Sequence, residues 1–187
     1  IIPVSAIQHF QVDAVADLLS QYVPLSPPLY PEGELTDEPE ATLIAELVRE
    51  ARALGFDAIG ITDPDATSEA GKYFLEFLGS DGHGDMDWLA ANPERRTDPR
   101  ALWAGVRSII MLGVNYGPDD DPLKLIARRS QGAISVYAQG DDYHDVIKKR
   151  LKVLARWLAA TTGDEVKVFV DTAAVMEKPL AQAAGIG

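Results

Sequence analysis

The sequence predicts an α/β fold, with helices and strands of one mixed domain and a short Pro-rich lead-in. Three observations carry that expectation. Ser108-Ile109-Ile110-Met111-Leu112-Gly113-Val114 is a continuous apolar run of strand length, the pattern of a buried central strand. From Tyr143 to Ala160, the residues Ile147, Leu151, Leu154 and Leu158 form one apolar stripe at helical spacing, with Lys148, Lys149, Lys152 and Arg156 mainly off it. The 187 residues are 47% hydrophobic and 25% charged, enough for one globular domain plus an appendage.

The remaining elements follow in order. Asp37-Glu38-Pro39-Glu40 has the form of a capping box, and Leu43, Leu47 and Leu54 then recur at helical spacing before Gly55 stops the helix. Phe56 to Thr62 reads as a strand ended by Asp63-Pro64, and a second helix is expected from Ser68 to Leu78. Gly79 to Gly84 reads as a loop, Met86 to Ala90 as a short helical turn, and Asp119 to Pro122 as an acidic loop. Ala133-Ile134-Ser135-Val136-Tyr137 is a further strand candidate, and Val166 to Val170 another. A final helix is expected from about Ala174 to Ala184. Helices alternating with apolar strands indicate layers packed on a sheet, without fixing the strand order.

Composition excludes several functions. The chain has no Cys, so disulfides, thiolate zinc sites, a Cys nucleophile and cysteine-held iron–sulfur clusters are all impossible within it. A net charge of −12 opposes general affinity for phosphate backbones. No run approaches the roughly 20 apolar residues of a membrane helix. The opening Ile1-Ile2-Pro3-Val4-Ser5 lacks both Met and a basic stretch, so it reads as the continuation of something longer, not as a signal peptide. Cytoplasmic residence is the matching expectation.

The charge is uneven. Residues 1–40 hold seven of the 29 acids, none of the 17 bases and six of the 12 prolines. Such a shift marks a linker or a join. Ile2-Pro3-Val4-Ser5-Ala6, Val12-Asp13-Ala14-Val15-Ala16-Asp17-Leu18-Leu19 and Pro27-Pro28-Leu29-Tyr30-Pro31-Glu32 resemble the end of the GTPase domain of the Era family and its link to an RNA-binding domain. No G-x-x-x-x-G-K-[ST] phosphate loop occurs, so GTP hydrolysis is excluded. The expected organisation is a mosaic: an Era-like fragment over 1–40 and a second domain over 41–187.

That second domain resembles the N-terminal half of the epoxyqueuosine reductases. The strings are Leu54 to Ile61, His83-Gly84-Asp85-Met86-Asp87-Trp88-Leu89, Arg95-Arg96-Thr97-Asp98-Pro99-Arg100, Tyr137 to His144, and Val170-Asp171-Thr172-Ala173-Ala174-Val175-Met176-Glu177-Lys178. The resemblance implies a nitroreductase-like, cobalamin-handling sandwich and reduction of epoxyqueuosine in the tRNA anticodon loop. It also implies a cobalamin cofactor and two [4Fe–4S] clusters, which this Cys-free chain cannot hold. Asp171 then matches the proton donor beside the cobalamin, and Arg96 and Ser135 fall at positions that contact the cofactor. The fragment is expected to be inactive alone, to bind cobalamin weakly or not at all, and to dock onto an absent C-terminal half.

The residues themselves leave alternatives open. Epoxide opening leaves an alkoxide that needs a proton, and a carboxylic acid supplies one at neutral pH when burial raises its pKa. Asp171 follows an apolar strand, where such burial is expected, but Asp is also a common helix cap. Arg96 in Glu94-Arg95-Arg96 reads equally as a solvated charge, and Ser135 as an ordinary strand serine. His83, Asp85 and Asp87 match no strong metal-ligand spacing and read as loop. The Lys148–Arg156 face reads as a solvated helix face, and Asp141-Asp142 as complements to a helix dipole.

Overall fold

The computed structural model describes residues 2–8, 39–117, 124 and 128–186. In chain order the elements are β1 (Ile2–Gln8), α1 (Pro39–Ala53), β2 (Ala58–Thr62), a 3₁₀ turn (Pro64–Thr67), α2 (Ser68–Gly79), α3 (Asp87–Ala90), α4 (Pro93–Thr97) and α5 (Pro99–Leu102). They continue with β3 (Ser108–Val114), a second 3₁₀ turn (Val136–Ala138), α6 (Tyr143–Thr162), β4 (Lys167–Phe169) and α7 (Glu177–Ala183). The Asp37 cap, the Era-like helix and link, and the acidic stretch 119–122 lie outside the described residues.

Among the described residues four strands form one sheet in the order β2-β3-β1-β4. Every neighbouring pair is antiparallel, with β1 matched to β3 from Ile2↔Val114 to Gln8↔Ser108 and to β4 from Ser5↔Phe169 to Ile7↔Lys167. β1, drawn from the Pro-rich lead-in, therefore lies inside the sheet. The rule that sites gather at strand C-termini belongs to open parallel sheets, so it lends Asp171 no support here.

Successive side chains of a strand point to opposite faces. Ile110 and Leu112 of β3 accordingly join Ile44, Leu47 and Ala51 of α1 and Ile147, Leu151, Leu154 and Leu158 of α6 in one core. Ile109 and Met111 join Val106, Val175, Leu180 and Ala181 in the other, which α7 covers. The stripe read from the sequence is the buried face of α6, and each such side chain contributes about 1.5–3 kcal/mol on burial. Gly60 permits α7 to approach: a Cβ there would lie 2.0 Å from the Ala184 carbonyl oxygen. Gly55 closes α1 with a φ of +83, a left-handed conformation that glycine adopts without strain.

The strand expected over Ala133–Tyr137 is absent. Residues 136–138 form a 3₁₀ turn instead, with Ile134 66% and Tyr137 55% exposed, so its β-forming residues have no neighbouring strand to pack against. The last helix starts at Glu177, three residues later than expected. Among the described residues no helix is long and apolar enough to cross a membrane.

Candidate active site

The chain leaves β4, buries Val170, and then takes a φ of +50 at Asp171. Such a backbone is uncommon for a residue with a Cβ, and Asp tolerates it better than most. Tight bonds follow, from Val175 N–H to Ala173 O at 2.9 Å and from Glu177 N–H to Val175 O at 3.1 Å. Val175 is buried, and the turn brings Glu177, the first residue of α7, back against Asp171. Asp171 caps no helix: α7 begins six residues on, with Met176 at its cap position.

Tyr143, the first residue of α6, donates its hydroxyl to Asp171 Oδ2 at 2.6 Å. It is positioned by the helix start, where Asp142 accepts from the His144 backbone N–H at 2.9 Å and lies 2.8 Å from His144 Nδ1. The Tyr143 and His144 rings stack with centroids 4.0 Å apart. The bond to Asp171, together with burial, pushes the Tyr143 hydroxyl up to about 12. The side-chain bond to His144, then the backbone bond, holds the Asp142 carboxyl below the usual range.

The expectation that Asp171 is held dry is corrected. Asp171 is exposed, and the shielded carboxyl of this end of the sheet is Glu177. Burial first, and the neighbouring Asp171 carboxylate second, push Glu177 up to about 8. Glu177 Oε1 is cut off from solvent and has no hydrogen-bond partner. Glu177 is therefore held toward its neutral form at the same end of the sheet as the accessible Asp171 side chain.

Arg96 lies on α4, its guanidinium 5.3 Å from the centre of the Trp88 ring and one amine 3.4 Å from the Trp88 carbonyl oxygen. Its Nε is buried without a partner. Ser135 is exposed at the cap of the second 3₁₀ turn, where its carbonyl accepts from Ala138 N–H at 2.9 Å. Among the described residues no hydrogen bond, ion pair or ring contact links Arg96 or Ser135 to the Asp171 cluster. Nor is any group of three or more His, Asp or Glu among them arranged to hold a metal ion.

Sequence reasoning did not single out Tyr143 or Glu177. Each stood inside a quoted string, and the signal for Glu177 was a carboxylate set between Val175 and Leu180, both buried.

Residues 96–172 match the family model described as epoxyqueuosine reductase QueG, DUF1730. An epoxyqueuosine reductase of Pseudomonas aeruginosa is 34% identical over 160 residues, covering 84% of this chain and 44% of that protein. One from Burkholderia pseudomallei is 38% identical over 173 residues, covering 83% of this chain and 42% of its own length. The chain thus spans under half the length of these relatives. Among solved structures, the epoxyqueuosine reductase from Streptococcus thermophilus superposes with a TM-score of 0.61 at 26% identity, over 77% of this chain and 39% of that one. A selenomethionine-labelled epoxyqueuosine reductase gives 0.63 over 78% and 39%. The family model, the curated relatives and the solved structures named above are all epoxyqueuosine reductases, and it is to part of these proteins that the chain is similar.

Proposed function

We propose that this chain forms the cobalamin-side part of a tRNA epoxyqueuosine reductase, with Asp171 delivering the proton when the epoxide opens. The observation that carries this reading is the Asp171 carboxyl, exposed to a reactant yet fixed by the Tyr143 hydroxyl 2.6 Å away. Opening the C–O bond of an epoxide puts negative charge on oxygen, and a positioned acid lowers that barrier by protonating it. Accessibility lets Asp171 meet the substrate, while the adjacent neutral Glu177 keeps a proton at hand.

The residues present are compatible with cobalamin. Arg96 has a buried, unpartnered Nε and one long hydrogen bond, so its guanidinium has donors to spare for the phosphate or amide oxygens of that cofactor. Ser135 offers an exposed hydroxyl. Cobalamin, when bound, would supply the reducing centre; Arg96 and Ser135 would hold it, and Asp171 would move the proton. Cysteine-held clusters would have to come from outside these 187 residues, which contain no Cys. Alone, the chain is expected to bind cobalamin weakly and to turn over nothing; docking to a cluster-bearing part would complete it.

For residues 1–40 the mosaic reading rests on the Era-like strings. The fold adds that β1 is paired on both edges, so a foreign segment would serve here as sheet, not as nucleotide-binding domain. RNA binding by a truncated chain, insensitive to cobalamin, would favour the Era-like alternative.

The test is Asp171→Asn in an enzyme completed with the cluster-bearing part. Asn can accept the Tyr143 hydrogen bond but has no acidic proton to give. Turnover is expected to fall at least about 100-fold, the usual contribution of a general acid, with the melting temperature kept. Full turnover in the variant removes Asp171 from the reaction.

A further inference from the structure

We propose that the outer face of α6 is a docking surface for the phosphate backbone of a folded RNA, carried by Lys148, Lys149, Lys152 and Arg156. The inference rests on the functional reading above only in taking the substrate to be an RNA, and it adds where that RNA is held.

The sequence concentrates positive charge here against the trend of the chain. Lys148, Lys149, Arg150, Lys152 and Arg156 put five of the 17 bases into one short stretch of a molecule with net charge −12. After Asp145 in its first turn, α6 carries no acid. At about 100° per residue, Lys148, Lys149, Lys152 and Arg156 fall within an arc of about 100°. All four are exposed, and the buried stripe of Ile147, Leu151, Leu154 and Leu158 lies on the other side of the helix. At about 1.5 Å per residue the row from Lys148 to Arg156 is about 12 Å long.

The fold engages none of these four. Among the described residues no hydrogen bond, ion pair or ring contact reaches them, although the chain holds 29 acids. Neighbouring cations are used differently. Arg150 donates to the Gly55 carbonyl oxygen at 3.3 Å, and Lys167 on β4 sits 4.6 Å from the centre of the Trp103 ring. On α1, which packs against α6, Glu50 pairs with Arg49.

A straight row of free cations complements the regular row of phosphates on a nucleic-acid strand, and neutralising them releases counterions. A basic helix can also lie on an anionic membrane, but it then needs a free apolar face. That face of α6 is buried in the core. The row also has a fixed relation to the candidate acid. It starts about 7.5 Å along the axis from Tyr143, whose hydroxyl bonds to Asp171. An RNA lying along α6 thus has Asp171 at one end of its track. Asp141, Asp142 and Asp145 are exposed at that end and repel phosphate, which leaves it to an uncharged base.

The experiment follows binding of a short fluorescent RNA hairpin to the 187-residue chain by anisotropy as salt is raised. Contact with about four phosphates predicts an affinity loss of roughly 100-fold between about 50 and 200 mM salt. Lys148→Gln, Lys152→Gln and Arg156→Gln combined should lower affinity at least about 10-fold at the lower salt, and the salt slope by about one per cation. Glutamine is a good helix former, so the melt by circular dichroism should be kept. Lys72→Gln with Arg107→Gln, both exposed and off α6, should change neither quantity. Asp145→Asn should tighten binding, and it tests the same face even if the triple variant fails to fold. Absence of binding at the lower salt overturns the proposal. So does binding that the triple variant keeps, which favours the Era-like reading of residues 1–40, and so does an equal loss in the Lys72 and Arg107 variant. Tighter binding to vesicles of anionic lipid than to the hairpin, lost in the triple variant, overturns it in favour of a membrane surface. Retained turnover in Asp171→Asn would remove the acid and leave this surface standing, so the two readings fail separately.

Discussion

Glu177 makes the stability of this chain depend on pH in a stated direction. Its carboxyl holds a proton up to about pH 8 when folded, against an ordinary value of 4.5. Between those values the folded state binds more protons than the unfolded one. The contribution of Glu177 is thus complete below about pH 4.5 and is lost as pH rises toward 8, at up to about 1.4 kcal/mol per pH unit. Asp142, held low by His144, acts oppositely: its contribution is present above the usual carboxylate range and lost in stronger acid. Urea denaturation at several pH values should show the decline toward pH 8, and Glu177→Gln should flatten it; parallel curves for both proteins would discard the assignment. Tyr143→Phe removes one hydroxyl bond to Asp171 at a solvent-facing position, so a stability loss of about 1 kcal/mol is expected from the same measurement. These two partners were not legible beforehand. Shielding of Glu177 depends on how the chain turns through 171–176, and no local pattern announces a positive φ at Asp171.

At the scale of elements, packing tells which changes matter. Leu151 is 1% exposed in the middle of the α6 stripe, and Leu151→Ala should cost about 2–5 kcal/mol by lost burial plus a cavity. Val153, 44% exposed on the same helix, should tolerate Ala with a change within about 0.5 kcal/mol, and thermal melts of the two variants make the contrast. Gly60→Ala should weaken the seat of α7 on β2, because the added carbon meets backbone that cannot move aside cheaply; overpacking of this kind costs about 1–3 kcal/mol. Periodicity exposed α6 and β3 in the sequence because each buries a regular pattern of side chains in its own span. It misled over 133–137, where β-branched and aromatic residues imitate a strand that gains no partner. It passed over α4 and α5, which hold only five and four residues and start at prolines instead of repeating any stripe.

For the whole molecule, the sheet order was the least readable property. The pairing of Ile2–Gln8 with Ser108–Val114 joins residues about a hundred positions apart, and nothing in either segment names the other. The apolar character of β3 demanded covering on both faces, which α1 and α6 supply on one side and α7 on the other, so layering was legible where strand order was not. Ala6 of β1 lies opposite both Ile110 and Val168. Ala6→Pro removes a backbone donor from an interior strand, a place where Pro is essentially not found. A lowered melting temperature with non-cooperative unfolding is expected by circular dichroism, and an unchanged melt would contradict the sheet order.

Among the described residues β4 joins the sheet through β1 alone, and the acidic turn hangs from the far end of β4. Its other end is anchored separately, where α7 presses on Gly60. The spacing between the two carboxyls is thus suspended between two moorings, one of which is made by the opening residues of the chain. Loosening that first mooring would leave Asp171 and Glu177 unchanged chemically yet free them to drift apart, so the geometry at this end of the sheet answers to the opening strand of the chain.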